Sequence, residues 1–162
     1  MKGLFLHYIT ILLLAASLMS CEDTTFKSSV PTRPVQLTIN TSAGMYVHFV
    51  RENIGAYVVV DPTGYHFNGQ TLPLTSNDYY GFAGVVIYVN NDRNYCAFDL
   101  CCPHCLSQVQ PCQIDGCYAV CPICGEQYDL SFGYATPSKG VSKEALRKYT
   151  TSYAAPKLTI HD

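Results

Sequence analysis

The chain has 162 residues, with ten lysines or arginines against twelve aspartates or glutamates, for a formal net charge of −2. Charged residues make up only 14% of it, and no basic run is evident along the sequence, so nucleic acid is not an expected partner. Thirteen tyrosines and no tryptophan suit a β-rich domain outside the cytoplasm.

Residues 1–20 read as a leader rather than as part of a fold. Lys2 is their only charge, and Leu4 to Leu18 is an apolar stretch too short for a membrane span. It ends Leu18-Met19-Ser20-Cys21, with a small residue before the cysteine. This resembles a bacterial lipoprotein signal, which implies cleavage after residue 20 and a lipid on Cys21. The mature chain is then expected in the cell envelope, anchored to a membrane outside the cytoplasm. Residues 21–34 read as a polar tether. Residues 35–162 are long enough for one domain with a sizeable core.

From Pro34 onward the pattern is one of short strands. Val35 to Asn40 alternates apolar and polar residues, and Met45 to Val50 reads as a second strand. Tyr57 to Val60 is a third, closed by the turn Asp61-Pro62-Thr63-Gly64. Residues 65–82 read as loop-rich. Val85 to Val89 is the clearest strand, and Asn90 to Asn94 turns it back into Tyr95 to Leu100 as a hairpin. In that second arm Cys96, Phe98 and Leu100 share one face, and Tyr95, Ala97 and Asp99 the other. Residues 142–149 offer two turns of helix, and Lys157 to Ile160 a last strand. Many short strands with few helices predict an all-β sandwich or small barrel.

The chemistry concentrates in residues 96–134, which hold eight of the nine cysteines. Two tight boxes stand out: Cys102-Pro103-His104-Cys105 and Cys121-Pro122-Ile123-Cys124-Gly125. Two residues between thiolates let both sulfurs turn toward one metal, and glycine after the second sulfur supplies the positive φ of the tight turn. Two such boxes, with 15 residues between Cys105 and Cys121, form a strong metal-site signal. Cys102, Cys105, Cys121 and Cys124 would then hold one Zn²⁺ or a single iron in a rubredoxin-like pair of knuckles. Cys96, Cys101, Cys112 and Cys117 remain, and the turn Asp115-Gly116 makes a Cys112–Cys117 disulfide a further expectation. His48, His66 and His161 are isolated and read as surface or strand residues. No nucleophile-and-base group and no phosphate loop is visible, so the sequence makes no case for a hydrolase.

The same boxes also read as Cys102-x-His104 followed, after 16 residues, by Cys121-x₂-Cys124. Tyr95 to Asp99 leads into the first box, and Gly125-Glu126-Gln127-Tyr128-Asp129-Leu130 with Gly133 follows the second. Across roughly residues 84–160 this resembles the Rieske iron–sulfur family, with Cys124 where the family has its second histidine. Ser107 and Ile123 stand where high-potential members carry a disulfide pair. The resemblance implies a Rieske-like small β-sandwich or barrel and a [2Fe–2S] cluster. It also implies that Cys102 and Cys121 hold the inner iron, and His104 and Cys124 the outer one. It implies one-electron transfer to a redox partner protein, with a potential between those of two-histidine and all-cysteine clusters.

Overall fold

The computed structural model describes residues 28–162. The leader, Cys21 and the start of the expected tether lie outside the described residues. Thirteen strands follow: β1 (Val35–Asn40), β2 (Tyr57–Asp61), β3 (Gly64–Phe67), β4 (Gln70–Leu72), β5 (Tyr79–Tyr80), β6 (Val85–Val89), β7 (Tyr95–Asp99), β8 (Gln113–Asp115), β9 (Tyr118–Val120), β10 (Gln127–Asp129), β11 (Thr136–Lys139), β12 (Lys148–Ala154) and β13 (Lys157–His161). The protein is all-β, as expected; its described helices are two short 3₁₀ turns, Gly44–His48 and Pro103–Cys105.

Nine strands make one sheet in the order β4-β3-β2-β6-β7-β12-β13-β1-β5, and four make a second in the order β11-β10-β9-β8. The larger sheet curls into a half-barrel around its own apolar side chains. Val35, Leu37 and Ile39 from β1 meet Val58, Val60, Phe67, Val85, Ile87, Leu158 and Ile160 there, all nearly fully buried. The Phe49 and Tyr95 rings pack tilted to each other at a centroid distance of 5.2 Å, and the Tyr95 hydroxyl donates to the Phe49 carbonyl at 2.9 Å.

The β6–β7 hairpin is what positions the site. All ten of its strand residues are buried, so it has a core on each side. Val85, Ile87, Val89, Tyr95 and Ala97 face the half-barrel. Val86, Tyr88, Cys96, Phe98 and, just past the strand, Leu100 face a second cluster. That cluster contains Cys102, Cys112, Ala119, Cys121, Tyr128, Leu130 and Leu146. The alternation read from the sequence therefore divides two cores, and the smaller sheet packs on the second face. Burying Phe98 and Leu100 there stabilises the attachment by about 1.5–3 kcal/mol each.

Four local readings differ from the structure. Residues 45–50 do not form a strand. Gly44 has φ +58°, and a 3₁₀ turn follows in which Tyr46 and Phe49, three residues apart, both point inward while Val47 is exposed. Residues 65–82 are not mainly loop: Asn68-Gly69 turns β3 into β4, with Phe67 opposite Gln70, and β5 pairs with β1. Residues 142–149 do not form a helix. The Glu126 carboxylate accepts from the backbone N–H groups of Val141 at 2.5 Å and Ser142 at 3.1 Å, while Ser142 Oγ accepts from Glu144 N. Those side-chain bonds compete with a first helical turn.

The fourth difference is at residues 28–34, read as tether but packed against the domain. Val30 is fully buried beside Ala83 and Cys101, its carbonyl accepts from the Arg147 guanidinium, and Arg33 lies over the Phe82 ring at 5.1 Å. Asp99 ties the same region together. Its fully buried carboxylate accepts from the backbone N–H of Phe82 at 2.7 Å and Cys101 at 2.8 Å, and from the Tyr149 hydroxyl at 2.7 Å. A buried carboxylate is tolerated when donors surround it in this way.

Candidate metal centre

Each box becomes a tight turn at one end of the smaller sheet. The first begins where β7 ends. Cys101 bridges to Pro111 and Cys112 N–H donates to the Leu100 carbonyl at 2.8 Å, which closes the loop between them. Within it Pro103 opens the 3₁₀ turn, where its lack of an N–H costs nothing, and Cys105 N–H donates to the Cys102 carbonyl at 3.0 Å. The second box is the connection from β9 to β10. Cys121 N–H donates to the Glu126 carbonyl at 2.8 Å, Gly125 N–H returns to the Cys121 carbonyl at 3.0 Å, and Gly125 has φ +72°. A side chain at that φ is strained, so the glycine has a specific local reason.

The two turns bring Cys102, Cys105, Cys121 and Cys124 together, with all four sulfurs within 4.8 Å of one another. Cys102 Sγ and Cys124 Sγ, from different turns, are 3.8 Å apart. In a tetrahedral site with metal–sulfur bonds of about 2.3 Å, the sulfurs sit about 3.8 Å apart. The four donors thus fit one metal ion of the size and softness that thiolates select, such as zinc or iron. Cys102 and Cys121 are buried, Cys105 is half-buried and Cys124 is exposed, so the group opens to solvent on the Cys124 side. His104, named with Cys102, Cys121 and Cys124 from the iron–sulfur pattern, is exposed and is not a member of the sulfur group. Its neighbour Cys105 stands in the group instead.

The electrostatics of the thiols differ with their surroundings. Burial works against charge at Cys121, but the backbone N–H groups of Cys124 and Ile123, then the Cys124 and Cys102 thiols, bring it below the usual thiol value. Burial dominates at Cys102 and pushes it up to about 11, against the pull of the Tyr128 hydroxyl and the His104 backbone. A metal ion held here would displace protons from this group, which would couple its binding to pH and to folding.

Two side chains behind the sulfurs complete the arrangement. Tyr128 Oη is 3.2 Å from Cys102 Sγ, fully buried, and donates to that sulfur once it is a thiolate. Burial, then the contact with Cys102, holds Tyr128 protonated. Glu126 directly follows the second turn, is 2% exposed, and clasps residues 141 and 142 through its carboxylate. A buried glutamate one residue past a glycine is not recognisable from composition or spacing. The partner loop is contiguous with it only in space.

The remaining cysteines among the described residues, Cys96, Cys101, Cys112 and Cys117, are free thiols. The expected Cys112–Cys117 disulfide is absent for a reason of register. β8 and β9 pair Gln113 with Val120 and Asp115 with Tyr118, so Cys117 sits in the turn. Cys112 lies at the far end of the ladder, beside Cys121. Cys96 is a buried small apolar residue, packed near Gly133. His66 bonds Asp61 at 3.0 Å and Thr71 at 3.1 Å within its hairpin, a structural role.

No family model matches this chain, and no curated protein matches it in sequence.

Proposed function

We propose that the protein is a metalloprotein in which Cys102, Cys105, Cys121 and Cys124 hold a single metal ion, with Zn²⁺ in a structural role. The observation that carries this reading is the 3.8 Å separation of Cys102 and Cys124 across the two turns. In a binuclear cluster those two residues would serve different irons and be held apart by the bridging sulfides. Four thiolates around one ion make a closed site, which stabilises a fold and leaves no position for substrate. The contribution to folding is on the order of 10 kcal/mol. Such a site would brace the small sheet as the rigid face of a binding module in the cell envelope, tethered through Cys21.

Electron transfer is the second reading, and Tyr128 favours it. A hydrogen bond to a ligand sulfur is one of the ways a protein sets the potential of an iron–thiolate centre. Together with the Rieske-like sequence around both boxes, it supports an iron site in the same place, serving a redox partner protein. The two ligand sets separate on neighbouring residues. Cys105→Ser should lower the metal content and melting temperature of the purified protein, while His104→Ala should leave both unchanged. Loss of metal in His104→Ala with full retention in Cys105→Ser would overturn the four-thiolate reading and restore the cluster held by Cys102, His104, Cys121 and Cys124.

A further inference from the structure

We infer that the surface running along β11, from Phe132 and Tyr134 to Val141, seats the domain against anionic lipid headgroups. The proposal rests on the reading of Cys21 as a lipid anchor. Val141, Phe132 and Tyr134 are the three most exposed large apolar side chains among the described residues, at 73%, 59% and 55%. All three lie within ten residues of one another in sequence.

Charge collects at the same place. Lys139, Lys143, Arg147 and Lys148 fall between residues 139 and 148 with Glu144 as the sole acidic residue, leaving six basic against eleven acidic residues elsewhere. The grouping is local, four cations within ten residues, though no two of them but Arg147 and Lys148 are adjacent. The Lys148 ammonium lies 5.4 Å from the centre of the Tyr134 ring, and Leu146 N–H donates to the Ala135 carbonyl at 3.1 Å. The aromatic turn and the basic segment are therefore neighbours. Exposed rings beside lysines suit the boundary between headgroups and acyl chains, where rings and alkyl stems bury while charges meet phosphate.

The third observation is where the chain enters the domain. Ser29 N–H donates to the Glu144 carboxylate at 2.6 Å, and the Val30 carbonyl accepts from Arg147. The N-terminal strap is thus fastened to the basic segment itself. Six residues separate Cys21 from Ser28, so a lipid on Cys21 lies at most about 25 Å from this point. A tether that short holds the entry side of the domain near the bilayer, and that side carries Arg147, with Lys148 and the Tyr134 ring next to it.

The test places a photoactivatable phenylalanine analogue at residue 132 or 134 of the full-length protein. Control positions are Val47 and Leu72, which are also exposed on the larger sheet's side of the molecule. The protein is irradiated in membranes containing phosphatidylglycerol, and lipid adducts are counted by mass spectrometry. The mass of the N-terminal peptide reports lipid at Cys21 in the same sample. Adducts at 132 and 134 severalfold above the controls, and reduced in Lys143→Glu/Lys148→Glu, are the expected result. Equal yields at all four positions, or none at 132 and 134, would overturn the surface. Adducts at 132 and 134 with an unmodified Cys21 would keep the surface and retire the tether. A lipidated Cys21 without those adducts would do the reverse.

Discussion

At the scale of single residues, the site depends on groups that supply no ligand. Tyr128 places a hydroxyl on the buried Cys102 sulfur, and its ring fills the core beneath the small sheet. Tyr128→Phe keeps the ring and removes the hydrogen bond. The expected cost is about 1 kcal/mol in denaturant unfolding, with metal content unchanged, because no ligand is lost. In protein loaded with iron, the reduction potential should also fall, since a donor to sulfur favours the more negative reduced form. Unchanged stability together with an unchanged potential would mean the hydroxyl is idle. Cys124 presents the opposite case. It is exposed, and its sulfur lies 3.8 Å from the Cys102 sulfur of the other turn, so its position rests on the turn and on the sulfur group.

At the scale of elements, the loop over residues 140–142 is fixed by the Glu126 carboxylate, and Gly140 makes room for it. A Cβ on Gly140 would stand 2.2 Å from the Glu126 carboxyl carbon, at φ +115°. Gly140→Ala should therefore cost about 2–4 kcal/mol by displacing a buried carboxylate from its donors. An equilibrium melt no lower than that of the wild type would show that the clasp contributes nothing.

This clasp also shows where sequence reading stops. The alternation Cys96-Phe98-Leu100 against Tyr95-Ala97 was legible, because a strand has only two faces and both are apolar here. The two cysteine boxes were legible because a metal knuckle is local, set by spacing and a glycine. What forms across distance was not. The aborted helix at 142–149 is decided by Glu126, and the 3₁₀ turn at 44–48 by the packing of Tyr46 and Phe49 into a core built from other strands. The choice between His104 and Cys105 was open for the same reason. Adjacent residues are equally placed in sequence, and only the turn geometry directs one inward.

At the scale of the whole molecule, two cores share one hairpin. The half-barrel has its own apolar interior, which does not include the sulfur group. The smaller sheet is different: its four strands have three or four residues each, and Cys102, Cys112 and Cys121 lie within its core. Sheets this small are marginal alone, and a metal ion joining two turns is the kind of staple they use. The division of labour is a stable β scaffold below and, on the proposed reading, a metal-braced face above. It makes the nature of the metal centre the central question. X-ray absorption combined with elemental analysis of the purified protein answers it most directly. The expected result is one metal ion per chain, bound by four sulfurs at about 2.3 Å, with no metal–metal distance and no nitrogen in the first coordination sphere. Two irons with inorganic sulfide and a nitrogen ligand would contradict the account.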